Sequence, residues 1–234
     1  MTRALLAIIV GVFILQMFLI QQNGYEPLTE WGAVNFKRIL AGEYYRLFTA
    51  MFLHLGTAHI FFNGLALWSI GRTVESLFGS RRFTLIYFLG GLSGSIASFI
   101  FTRGVSVGAS GAIFAIVGAE IVFLYNNRQL LGKRAQSELQ SLLFLAALNF
   151  GIGLVSAASR GGVVIDNWGH IGGFFAGIVL GWFMGPQYSV QPDPQAGFRV
   201  EDMNPLSVTW KTSAIFAAGL VVTLVYALVS FTRT

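Results

Sequence analysis

Charged residues leave gaps in this chain that are long enough to cross a lipid bilayer. No Asp, Glu, Lys or Arg occurs in residues 4–25, 47–71, 83–102, 104–119, 139–159, 167–192 or 212–232. A spanning helix needs roughly 20 predominantly apolar residues. None of these runs alternates polar and apolar positions as a barrel strand does, so helices are the form in which the backbone can satisfy itself in lipid. The pattern predicts seven helices, near residues 4–20, 54–71, 83–102, 109–126, 139–157, 168–185 and 211–231. The expected fold class is all-α: a polytopic membrane helix bundle. A six-helix core fills residues 1–185, a polar proline-containing linker 186–210, and a seventh transmembrane helix 211–234.

Residues 21–53 form a long connector, which implies a role of its own. Trp31, Phe36, Tyr44 and Tyr45 alternate there with Lys37, Arg38 and Arg46. Aromatic rings suit headgroup depth and arginines snorkel outward from it, so a partly helical, half-immersed lobe is expected. Small residues recur at four-residue spacing: Gly169, Gly173, Gly177 and Gly181 on the sixth helix, and Gly90, Gly94 and Ser98 on the third. Ser110, Phe114 and Gly118 share a face of the fourth. Such faces let helix backbones approach closely in lipid. The seventh helix has no internal charge and no plausible catalytic group, so it reads as an appendix to the core.

Composition agrees, at 55% hydrophobic and 11% charged residues, against about 25% charged in soluble domains. The net charge of +5 does not imply a nucleic-acid partner, because the basic pairs Arg81-Arg82 and Lys133-Arg134 fall in short loops. Their partner is the lipid bilayer. With the N-terminus cytoplasmic, nine Lys or Arg lie inside and six outside, so the positive-inside rule favours N-terminus in and C-terminus out. Gln21-Gln22-Asn23-Gly24 offers no small-x-small cleavage site after the first helix, which reads as a retained anchor. The lack of cysteine excludes disulfides and a thiol nucleophile.

The polar groups within this apolar frame carry the candidate chemistry, since lipid-embedded segments rarely tolerate such groups without a use. His54, His59 and Asn63 lie at the start of the second helix, Gly108-Ala109-Ser110-Gly111 at the start of the fourth, and His170 at the start of the sixth. With alternating helices these starts share one side of the membrane, each within roughly 10–15 Å of that surface. Ser110 needs a base to become a nucleophile, and His170, on another helix beside the glycine face, is the natural choice. His59 and Asn63, four residues apart, share a helix face and, with the Ser110 backbone N–H, form an oxyanion hole. Gly108 and Gly111 allow a sharp turn and close approach of substrate. A Ser–His dyad is favoured over a triad that includes Asp166, which reads as a helix cap or a solvent-facing acid. Glu120 is expected to pair with a loop arginine such as Arg128. His54 supports the loop. A metal is not expected, because the five-residue spacing of His54 and His59 puts them on different faces with no third ligand nearby.

Gly108-x-Ser110-Gly111, His54-x4-His59-x3-Asn63 and His170-Ile171-Gly172-Gly173 resemble the rhomboid family of intramembrane serine proteases. Gly42-Glu43-Tyr44-Tyr45-Arg46 is similar to that family's Trp-Arg segment, with tyrosine in place of tryptophan, and Glu75-Ser76-Leu77-Phe78-Gly79-Ser80 to its second-loop motif. The resemblance covers about residues 42–185; the trailing helix resembles the six-plus-one subgroup. It implies Ser110 as nucleophile, His170 as base, and His59 and Asn63 as oxyanion donors. It also implies an aromatic at Phe114 stacked on the base, and entry of substrate gated by the fifth helix and the loop at 158–167. The implied activity is cleavage of single-span membrane proteins in or near their transmembrane segment, without cofactor. The implied place is the inner membrane of a bacterial cell, with the site opening to the extracytoplasmic side and the oligomeric state open. The rival readings are a non-catalytic rhomboid-like chaperone that binds helices, and a small transporter. Non-catalytic relatives typically lack the serine or histidine, and transport would need a ladder of charges that is missing here.

Overall fold

In the computed structural model, residues 1–158, 165–193, 195 and 197–233 are described. Helix α1 (Thr2–Asn23) leads into the connector, which folds as α2 (Pro27–Gly32), β1 (Val34–Asn35), α3 (Phe36–Leu40), α4 (Arg46–Thr49) and a 3-10 turn at Ala50–Phe52. Helix α5 (Thr57–Ala66) continues through a π-helical stretch, Leu67–Gly71, into α6 (Arg72–Phe78). Then come α7 (Ser80–Phe101), β2 (Val105–Ser106), α8 (Ser110–Asn126), α9 (Arg128–Leu131), α10 (Lys133–Ala158) and α11 (Asn167–Met184). Strands β3 (Tyr188–Asp193) and β4 (Gly197–Asp202) precede α12 (Leu206–Thr232). All seven predicted helices form, and the chain is an integral multi-pass helical bundle. Part of the gating loop expected at 158–167, residues 159–164, lies outside the described residues.

Among the described residues, four helices are long and apolar enough to span on their own: α1, α7, α10 and α12. The segment Thr57–Phe78 passes the same test only together with Arg46–Phe52, across a bend of 89°. Helix α8, at 17 residues, reaches about 25 Å, short of a hydrocarbon core of about 30 Å. Helices α8 and α11 are the central ones. Apolar residues on nearly every side of α8 are buried, from Ala112 to Leu124, so its neighbours and not lipid satisfy it.

The centre is held by backbone contact. A Cβ placed on Gly173 would overlap the Gly111 carbonyl oxygen, one on Gly177 the Ala115 carbonyl, and one on Gly181 would stand 2.8 Å from Ala119 Cα. Helix α7 joins through Gly90, which faces Ala115, and Gly94, whose Cβ would stand 2.6 Å from the Gly169 carbonyl oxygen. Around this centre pack Phe83, Ile86, Tyr87 and Ile116, with Leu5 and Ile9 from α1. Helix α12 leans on the outside, its Leu220, Leu224, Ala227 and Phe231 against Ile96 and Phe99 of α7.

Two expectations need correction here. The 186–210 segment is not a plain linker, because β3 and β4 pair antiparallel with Val190 opposite Val200. Its root is tied to the core by an Arg82–Asp202 ion pair at 2.9 Å and by the Tyr188 hydroxyl donating to the Leu77 carbonyl at 2.7 Å. Arg46 does not snorkel outward. It is buried, donates to Glu43 Oε2 through Nε at 2.7 Å, and reaches the Glu30 carbonyl at 2.8 Å and the Ala33 carbonyl at 3.1 Å. The arginine thus closes the connector on itself, lying 5.6 Å from the centre of the Tyr45 ring, on which Trp31 stacks at 4.9 Å.

The glycine contacts yield a stability prediction. Gly177→Ala destabilises the protein by about 3 kcal/mol, because backbone stands where the methyl group would go. Gly219→Ala, with nothing within 4 Å of its Cβ, stays within about 1 kcal/mol of the parent or gains stability from helix propensity. Denaturation by sodium dodecyl sulfate in mixed micelles measures both.

Candidate active site

Ser110 is the first residue of α8 and follows the N-cap Ala109, so its backbone N–H has no intrahelical acceptor. The turn before it is fixed by β1 and β2, which pair Val34 with Ser106 and Asn35 with Val105, and by the Gly108 N–H donating to the Ala50 carbonyl at 2.8 Å. Gly108 has φ 126, a value that L side chains rarely adopt. A Cβ there would also stand 2.7 Å from His59 Nε2 and 3.8 Å from Ser110 Oγ. His59 and Ser110 therefore face one small space that only glycine leaves open.

His170 lies in the first turn of α11, and its Nε2 is 2.8 Å from Ser110 Oγ. The glycine contacts below them make this possible, since both side chains are short. Phe114, one turn beyond Ser110, stacks on the His170 ring at 4.5 Å between centroids, inclined by 22°. Phe150 of α10 covers Phe114 in turn at 5.2 Å. His170 Nδ1 is buried and has no hydrogen-bond partner among the described residues.

Asp166 does not reach it. Asp166 is the N-cap of α11 and accepts the Gly169 N–H at 3.0 Å. It also accepts the Thr102 hydroxyl at 3.1 Å and the Ser106 hydroxyl at 2.5 Å. Three donors on one carboxylate explain why it caps the helix and leaves the histidine. Thr102 and Ser106 were missed by the sequence reading, since hydroxyl residues in a loop carry no periodic signal.

On α5, Asn63 is buried, and its amide nitrogen donates to the His59 carbonyl at 2.9 Å. One N–H of that amide remains for another acceptor. The Leu55 N–H donates to His59 Nδ1 at 3.3 Å, which in the neutral ring leaves the hydrogen on Nε2. The rings of His54 and His59 do not lie on separate faces as expected. Helix α5 starts only at Thr57, after Gly56 with φ 91, so His54 sits in the loop and meets His59 edge-on at 5.0 Å. Gly111 and Gly173 lie in the α8–α11 contact, and Gly111 also lines the cavity beside Ser110. The expected Glu120–Arg128 pair is not formed. Arg128 folds back on the end of α8, donating to the Tyr125 carbonyl at 2.6 Å and lying over the Tyr125 ring, while Glu120 Oε2 is buried without a hydrogen-bond partner among the described residues.

Beside Ser110 a cavity of about 20 Å³ runs between α7, α8 and the start of α11, lined by Ser95, Ser98, Ser106 and Asp166 among others. That is room for about one water molecule in a polar setting. A nucleophile paired with a base, a histidine facing the same space and a polar niche are chemical equipment suited to acyl transfer.

The chain is similar to known proteins over most of its length. The Rhomboid domain family model matches residues 41–187. The protein named Rhomboid protease GluP, from Bacillus subtilis (strain 168), is 42% identical over 180 residues, which is 74% of this chain and 34% of that protein. RHOMBOID-like protein 1 of Arabidopsis thaliana is 34% identical over 213 residues, covering 84% of this chain and 53% of its own length. RHOMBOID-like protein 9, chloroplastic, of the same plant is 39% identical over 160 residues, covering 68% of this chain and 35% of its own. The chain thus spans between about a third and about half of these relatives. With the family model matching well over half of the chain, the chain belongs to the rhomboid family.

Proposed function

We propose that the protein is an intramembrane serine endopeptidase that cuts single-span membrane proteins in or near their transmembrane segment. The observation that carries this reading is the 2.8 Å approach of Ser110 Oγ to His170 Nε2 across two helices joined by backbone contact. Ser110 Oγ attacks the scissile carbonyl while His170 Nε2 takes its proton. The resulting oxyanion meets the Ser110 N–H, His59 Nε2–H and the free N–H of Asn63. His170 then returns the proton to the leaving amine, and a water, activated by the same imidazole, releases the acyl group. The site works as a dyad, with Asp166 holding the start of α11.

The polar niche beside Ser110 supports a supply of water to an otherwise dry site. Helix α10 presents Phe144, Leu148 and Val155 outward and reaches the site through Phe150. That placement supports the side of α10 as the way in for a substrate helix. Charge distribution supports an extracytoplasmic opening, and the likeness to a Bacillus subtilis protease supports a bacterial inner membrane.

Labelling with a fluorophosphonate tests the reading without a known substrate. The label is expected on Ser110 and is lost in Ser110→Ala and His170→Ala. In liposomes with a single-span model substrate, both variants are expected to lose at least about 10³-fold in kcat while staying folded. A folded parent that neither labels nor cleaves would leave a helix-binding protein. Asn63→Ala is expected to lower kcat about 10²-fold with little change in KM, because an oxyanion donor acts in the transition state. A rise in KM alone would remove Asn63 from that role. Asp166→Asn is expected to keep kcat within about tenfold of the parent, against the roughly 10⁴-fold loss of a triad whose acid is neutralised.

A further inference from the structure

Gln16 is fully buried in the C-terminal half of α1, within residues 4–20, which are otherwise apolar. An amide there needs partners, since lipid supplies none. Its Oε1 accepts the His54 backbone N–H at 3.1 Å. Its Nε2 reaches the His54 carbonyl at 3.4 Å and the Thr29 hydroxyl at 3.3 Å. Residues 53–56 join a 3-10 turn to α5, and in that loop the N–H groups of His54 and Leu55 each donate to a side chain. The His54 carbonyl and the Leu55 N–H are the two ends of a single planar peptide unit. One end faces Gln16 and the other donates to His59 Nδ1 at 3.3 Å. His59 Nε2 then looks across Gly108 toward Ser110.

We infer that Gln16 is a positioning residue for the oxyanion hole: it fixes the 54–55 peptide so that its N–H holds His59 in the Nε2–H form, aimed at the reacting oxygen. The inference rests on the reading of His59 as an oxyanion donor. Hydrogen bonds in series polarise one another in a low-dielectric interior, so a donor to the His54 carbonyl also strengthens the Leu55 N–H as a donor. If the peptide swings away, Nδ1 loses its partner and the ring hydrogen is free to move there, which turns an acceptor toward the oxyanion. A residue that merely glued α1 to the loop would leave the tautomer untouched.

The test uses Gln16→Leu, which keeps the volume and removes the amide, in the full chain in liposomes with a single-span model substrate. It is expected to lower kcat about tenfold with KM within about twofold. In the His59→Ala background the same change is expected to cost less than about twofold, since residues that act as a unit are not additive. With only three histidines in the chain, ¹⁵N-histidine spectra resolve the His59 ring, which is expected to pass from the Nε2–H form to a mixture. Equal kcat losses with and without His59, or an unchanged tautomer in Gln16→Leu, would overturn the inference. Should Gln16→Leu not fold, Gln16→Asn, one methylene shorter, carries the same readings. If His59→Ala alone leaves kcat intact, the oxyanion assignment falls, and the tautomer measurement still decides whether Gln16 controls the ring.

Discussion

Everything at the site depends on two helix backbones touching. Inside lipid no hydrophobic force drives helices together, so close packing has to do it. Helices α8 and α11 pack with Gly173, Gly177 and Gly181 set against Gly111, Ala115 and Ala119, successive contacts one turn apart. Ser110 and His170 stand at the top of this ladder, one residue before Gly111 and three before Gly173. A serine and a histidine on helices at the more usual separation of 8–10 Å would be hard put to meet with a hydrogen bond as short as 2.8 Å. The ladder sets that distance, and the Asp166 cap fixes where α11 begins, so the register reaches His170 without slack.

The short α8 adds a second constraint. At 17 residues it is several ångströms shorter than a hydrocarbon core of about 30 Å, so chain beyond at least one of its ends lies at membrane depth. Non-helical backbone at such depth is tolerated only where protein or a wet cavity covers it. Here the cover is the connector: β1 pairs with β2, the Ala50 carbonyl takes the Gly108 N–H, and the buried Arg46 closes α2 and α4 around itself. The loop that presents Ser110 and the loop that presents His59 are thus braced by one lobe, which gives the long connector a role of its own.

What could be read from the sequence divides along physical lines. The seven helices were legible because gaps in charge are a property of the chain itself. The meeting of Ser110 with His170 was legible because alternating topology puts the helix starts on one side and glycine spacing marks a close contact. Loops gave no such handle. The faces of His54 and His59 were misjudged because Gly56 at φ 91 ends helical periodicity before His54. Arg46 was assigned to the interface, since nothing local announces that the Glu30 and Ala33 carbonyls would turn toward it. Glu120 was given Arg128 on proximity in sequence, whereas that guanidinium has a ring and a carbonyl of its own at Tyr125. Gln16 sat in plain view as a polar residue within an apolar helix, yet its partners are 13 and 38 residues away.

That no carboxylate bonds His170 Nδ1 among the described residues follows from the same setting. A carboxylate beside Nδ1 would need its own desolvation, several kcal/mol for a buried ion, repaid only with excellent geometry and further donors. Asp166 already has three donors at the helix start and would lose them by turning inward. The ring of Phe114 supports the imidazole in another way. Lying 4.5 Å from it and nearly parallel, it fixes the ring plane through packing and offers a π-face to the cation that forms during proposed turnover, an attraction that grows when water is excluded. An aromatic brings no charge that must be solvated in the resting state. In lipid that makes it the less costly means of orienting an imidazole, and it is consistent with the proposed dyad.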